Sequence, residues 1–77
     1  MSGRYFPHKP RFYVGDLVRA VGPSVRLRED QTGNVIDILG SPENVIYRYR
    51  VKFPDGSWDV FFGFELELVH SAAEKAG

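Results

Sequence analysis

The chain contains no cysteine, no excess of either charge and no long hydrophobic run. Without cysteine there is no disulfide, no thiolate zinc site and no thiol nucleophile, so packing must hold the fold and a reducing cytoplasm is the expected location. Nowhere do about 18 apolar residues follow one another, and the opening Met-Ser-Gly-Arg-Tyr-Phe-Pro-His-Lys-Pro has no apolar stretch of the signal-peptide kind, so neither export nor membrane contact is expected. Ten basic and ten acidic side chains cancel, which argues against a surface built wholly to hold nucleic acid. The balance hides a polarity: residues 1–28 carry six basic groups against Asp16 alone, +5, and residues 29–77 carry four basic against nine acidic, −5.

What is present suits one small domain. Seventy-seven residues, 43% of them hydrophobic and 14% aromatic, suffice for one core and not for two. Residues 1–11 hold two prolines, a glycine and three basic side chains without periodicity and read as a flexible basic N-terminal arm, with Tyr5 and Phe6 as residues that can dock. Residues 70–77 are small and polar, too few to sustain a helix, and read as a flexible C-terminal tail.

Between the tails, in residues 12–69, short apolar runs alternate with turn signals at the spacing of a small sandwich or barrel. Asp16–Val21 is the first predicted strand, left through Gly22-Pro23 into a long connection, residues 24–32, that exposes Arg26, Arg28, Glu29 and Asp30. Gly33 opens a second strand, Asn34–Leu39, whose branched residues suit a pleated surface, and residues 40–44 break it. In the third, Tyr47, Tyr49, Val51 and Phe53 alternate with Arg48, Arg50 and Lys52, so one face goes to the core and one to water. Asp55-Gly56 reads as a two-residue hairpin loop, which predicts Phe53 opposite Trp58, Lys52 opposite Asp59, Val51 opposite Val60, Arg50 opposite Phe61 and Tyr49 opposite Phe62. A 3₁₀ turn after Gly63-Phe64 then leads into a short closing strand.

Gly15-Asp16-Leu17-Val18, Thr32-Gly33-Asn34-Val35, Tyr49-Arg50-Val51-Lys52-Phe53 with Asp55-Gly56, and Phe64-Glu65-Leu66 together resemble the SH3-like barrel over about residues 12–69. The resemblance implies an all-β fold, a small five-stranded SH3-like barrel with flexible N- and C-terminal tails. Within that class the chain resembles short uncharacterised bacterial SH3-like domains with an ending in which an Asp-Gly turn is followed by Phe-Phe, as Asp55-Gly56 is by Phe61-Phe62 here. Residues 28–39 are similar to the KOW motif, which implies RNA or protein binding, and the Gly-Ser-Trp-Asp segment resembles electron-transport accessory barrels such as the small barrel of photosystem I and the ferredoxin-docking component of the photosynthetic NADH dehydrogenase-like complex. The arm and residues 24–32 have no counterpart in these families, so no functional residue carries over and the resemblance gives a shape.

The residues point to binding rather than catalysis. None of the five serines lies in an activating motif, no phosphate-binding glycine pattern occurs, and His8 and His70 lack metal-ligand spacing, so no enzyme, cofactor or metal is expected. Glu65 and Glu67 flank Leu66 in an extended segment and read as a solvated edge. The basic row Arg48, Arg50 and Lys52, beside a Phe61 expected to be exposed, is a surface that grips an acidic peptide or a base; the competing reading is a solvated strand face on which Lys52 pairs with Asp59 and Arg50 covers Phe61. Trp58 reads as core, with a groove-lining role as its alternative. Phe61, Phe62 and Phe64 cannot all be buried by one alternating strand, so a surplus aromatic is left for an interface. The expected partner is a protein, bound through Arg28, Arg48, Arg50, Lys52, Trp58 and Phe61 by a monomer or weak homodimer; the runner-up is a KOW-like RNA or nucleic-acid-binding module using the same basic row.

Overall fold

Each apolar run between turn signals forms a strand in the computed structural model, which describes residues 9–40 and 46–72. The strands are β1 (Leu17–Ala20), β2 (Thr32–Leu39), β3 (Arg48–Lys52), β4 (Trp58–Phe62) and β5 (Leu66–His70), with one 3₁₀ segment, η1, at Pro23–Arg28 and another, η2, at Gly63–Glu65. All lie in a single antiparallel sheet in the order β4-β3-β2-β1-β5. β4 and β5 are its two edges and share no ladder among the described residues, so the molecule is a mostly β domain of five antiparallel strands.

The core is Phe12, Val18, Ala20, Val25, Val35, Tyr49, Val51, Phe53, Phe61 and Leu66, with Ile38 and Tyr47 packed against it. Phe12 meets Tyr49 edge-on at 5.2 Å and Phe53 meets Phe61 at 6.1 Å, the arrangement that places a ring's positive edge on its neighbour's negative face. Gly33 is fixed by a close approach of β2 to β3, because a Cβ there would lie 2.5 Å from the Lys52 carbonyl oxygen and 2.8 Å from Val51 Cγ1. A bulge between Val35 and Asp37 leaves Ile36 without a partner and reverses side-chain parity, so that Val35 faces Val51 before it and Ile38 faces Tyr49 after it. The connection after β1 is not simply exposed: η1 tucks Val25 into the core, and the backbone of Ala20 holds its far end through Gln31 and Asp30.

The β3–β4 hairpin differs from the predicted register by one residue. Arg48 lies opposite Phe62, Tyr49 opposite Phe61, Arg50 opposite Val60, Val51 opposite Asp59 and Lys52 opposite Trp58. The loop is the three residues Pro54-Asp55-Gly56, closed by Phe53 N–H donating to the Ser57 carbonyl at 2.8 Å. A two-residue loop would make Pro54 and Ser57 the closing pair, and proline has no N–H to donate. In the longer loop Pro54 occupies the position of a type I turn that wants its fixed φ, and Gly56 takes the following left-handed position at φ 93°.

The segments next to the tails are anchored. The Arg11 backbone N–H donates to the Tyr49 hydroxyl at 2.7 Å, and its guanidinium donates to the Gly63 carbonyl at 3.1 Å, so the expected arm is tied to the sheet at its last residue. His70 belongs to β5 rather than to the tail. Asp16, 3% exposed, accepts from the Tyr13 N–H at 2.9 Å and the Ala72 N–H at 2.8 Å, joining the chain before β1 to the chain after β5. Tyr5, Phe6 and His8 in the arm, residues 41–44 of the break with Val45 after them, and residues 73–77 of the tail lie outside the described residues.

Candidate functional site

Alternation on β3 and β4, with the observed register, sorts their side chains onto two faces. Tyr49, Val51 and Phe61 go inward, while Arg48, Arg50 and Lys52 share the outer face with Trp58, Val60 and Phe62. Two of the expected assignments are therefore reversed. Phe61 is 5% exposed and part of the core, and Trp58 is 53% exposed on the outer face. The cause is the one-residue register difference, which turns every side chain of β4 to the opposite side.

The outer face is a strip of cations set against apolar rings. The Arg50 guanidinium lies 4.7 Å from the centroid of the Trp58 ring and reaches Asp37 at 3.5 Å, a carboxylate that the β2 bulge places opposite it. Its Nε is sequestered and finds no acceptor among the described residues. Arg48 and Lys52 make no ion pair among the described residues, so two cations of the row are open to an incoming acid. Lys52 does not pair with Asp59, because the register places Trp58 opposite it, and Arg50 covers Trp58 rather than Phe61.

Arg28 is not on this face. It stands at the end of η1 with its guanidinium 4.3 Å over the Phe53 ring, its Nε 3.1 Å from Asp59 Oδ2 and its Nη1 3.3 Å from Gln31 Oε1. Of the six residues singled out from sequence, the structure gathers Arg48, Arg50, Lys52 and Trp58, and places Arg28 and Phe61 with the core. The residues left off this face by the sequence reading are Val60 and Phe62, which the observed parity adds to the strip; Asp37 meets Arg50 through a bulge whose one sign in the sequence is the unbroken apolar pair Val35-Ile36.

Glu65 and Glu67 lie at the solvated edge of the sheet, and each is also paired there. Glu65 accepts from the Phe62 N–H at 2.8 Å and from the Ser24 hydroxyl at 2.7 Å, fastening η2 to η1, while Glu67 pairs with Arg19 across β1 and β5 at 3.0 Å. The carboxyl of Asp55 is held below its ordinary range, chiefly by the Ser57 hydroxyl and then by the Ser57 N–H. Among the described residues no group of three or more His, Asp or Glu side chains is placed to hold a metal ion.

A second feature lies at the η2 end of the sheet. A groove of about 400 Å³ runs between the start of β3 and η2, lined by Ile46, Tyr47, Tyr49, Phe62 and Phe64 together with Lys9 and Arg11. Phe62 and Phe64 stack with centroids 5.5 Å apart and planes 3° from parallel. These two rings are the surplus aromatics, with Phe64 73% exposed. No family model, no curated protein and no solved structure matches the chain.

Proposed function

We propose that the chain is a non-catalytic interaction module, an SH3-like barrel in fold, that docks onto a protein partner through the outer face of β3 and β4. The observation that carries the reading is the strip itself: Arg48, Arg50 and Lys52 share one surface with a half-exposed Trp58, Val60 and Phe62. Aromatic and arginine side chains of this kind dominate binding energy at interfaces, and open cations beside them favour an acidic partner. The strand order, with a 3₁₀ turn between the last two strands, supports the SH3-like reading.

A KOW-like nucleic-acid binder is the competing reading. Against it, Asp37 neutralises part of the row, and the Arg50 guanidinium covers part of the half-exposed Trp58 ring on which a base would stack. Titrating the isotope-labelled chain with a short single-stranded RNA at low and moderate salt separates the two. Shifts at Arg48, Arg50 and Lys52 that vanish with salt would transfer the assignment to nucleic acid. The protein-docking reading expects no such shifts, together with loss of a partner captured from lysate when Arg50→Ala and Trp58→Ala are combined in a chain that keeps its circular dichroism. Capture that survives both substitutions places the docking surface elsewhere.

A further inference from the structure

The groove at the η2 end has a composition that names its ligand. Its lining is apolar and aromatic apart from two cations, Lys9 and Arg11, and no acidic side chain lines it among the described residues. Ile46 is 60% exposed and Phe64 73%, so the apolar surface is open to solvent rather than sealed. Resting on the reading of the chain as a docking module, we infer that this groove receives an acidic peptide segment of the partner, with one large apolar side chain seated among Tyr47, Phe62 and Phe64 and a neighbouring carboxylate held by Arg11 and Lys9.

Arg11 is already placed for that role. Its backbone is fixed by the Tyr49 hydroxyl, its stem lies along Gly63, where an added Cβ would meet Arg11 Cδ at 3.3 Å, and its guanidinium sits 5.2 Å from the Phe12 ring centroid. One of its nitrogens donates to the Gly63 carbonyl, and the rest of the fork keeps donors for a carboxylate. A cation held this way loses little freedom when it binds, which is where preorganised sites gain affinity. The parallel rings of Phe62 and Phe64 form a flat wall, and a volume of about 400 Å³ is at the small end of ligand pockets, suited to an anchor side chain rather than a whole fold. Charge selects the occupant. Residues 1–8, which precede Lys9 in the chain, contain no acidic side chain and so do not supply the carboxylate. An acidic peptide does, and it also suits the open cations Arg48 and Lys52 on the adjoining face.

The test uses a random decapeptide library displayed on phage and selected on the immobilised full chain, followed by titration of the enriched synthetic peptide into the isotope-labelled chain. The expected peptides place Phe, Trp, Leu or Ile beside Asp or Glu, and they shift the amides of Arg11, Tyr49, Gly63 and Phe64. Lys9→Glu and Phe64→Ser, both at exposed positions that leave the core intact, should each weaken binding about tenfold or more. Enriched peptides whose shifts fall on Arg48, Arg50 and Trp58 instead would overturn the groove while leaving the strand-face reading standing. Failure to enrich any acidic-apolar sequence, or a concentration-dependent dimer abolished by Phe64→Ser, would overturn the groove as a peptide site without touching the separate test of the strand face.

Discussion

Arg28 and Arg50 make the same two kinds of contact in opposite settings. Each lays its guanidinium over an aromatic ring, Phe53 at 4.3 Å for Arg28 and Trp58 at 4.7 Å for Arg50, and each reaches one carboxylate, Asp59 at 3.1 Å and Asp37 at 3.5 Å. What differs is the ring beneath. Phe53 is 3% exposed and packs on Phe61, so Arg28 closes one end of the core; Trp58 is 53% exposed, so Arg50 rests on a ring that a partner can still reach. A guanidinium over an aromatic ring is therefore no mark of function by itself. Its meaning depends on which face of the hairpin carries the ring, and a single residue of hairpin register decides that.

The largest break in this comparison comes from exchanging the two faces' aromatics for alanine. Phe61→Ala should cost about 3–5 kcal/mol, because it empties a core position held edge-on by Phe53. Trp58→Ala, on the outer face, should cost under about 1 kcal/mol, since much of that ring is already in water. Urea unfolding of the two variants checks both. The reverse order, with Trp58→Ala the costlier, would mean that β4 presents the opposite face to the core.

The arginines sharpen the same contrast at smaller scale. Arg28→Ala should lose about 1–2 kcal/mol, combining a cation over a buried ring with a partly shielded ion pair to Asp59. Arg50→Ala should stay below about 1 kcal/mol, because its pair with Asp37 is half-exposed and removing the side chain also removes a buried Nε that has no acceptor among the described residues. Thermal unfolding of the two variants side by side gives the order; an Arg50 cost equal to that of Arg28 would make the outer strip a structural feature rather than an available one.

The strands were legible from the sequence because strict alternation at 47–53, turn glycines and branched residues all point the same way. The site was legible in part, and the error came from one residue. Asp55-Gly56 is the strongest short hairpin signal, yet Pro54 before it removes the N–H that a two-residue loop needs and instead suits the first turn position of a three-residue loop. Giving that missing donor due weight turns Phe61 inward and Trp58 outward. The salt bridge of Arg50 to Asp37 had no comparable signal beyond the adjacent Val35-Ile36, because a bulge depends on how two strands meet rather than on either alone. The reach of Arg28 to Asp59 spans 31 residues of chain and was hidden for the same reason.

The loop that sets this register offers the gentlest test. Asp55 Oδ1 accepts from the Ser57 N–H at 2.9 Å and from the Ser57 hydroxyl at 2.6 Å, and these bonds favour the charged carboxylate in the folded chain, so its pKa lies below the usual 3.8. A group whose folded pKa is depressed adds stability above its unfolded pKa and loses it as pH falls through the folded value. The contribution of Asp55 is thus in place at neutral pH and fades below pH 3.8. Asp55→Asn should therefore unfold at slightly lower urea than the parent at neutral pH, with the two midpoints converging on acidification. The amide cross-peaks of Lys52 and Trp58, whose pairing defines the register, should stay where they are. If those cross-peaks move and Trp58 fluorescence shifts to that of a buried indole, the carboxylate of Asp55 is helping to choose which face β4 turns to the core, and the choice between a hidden and an available aromatic would rest on the loop's side chain as well as on Pro54.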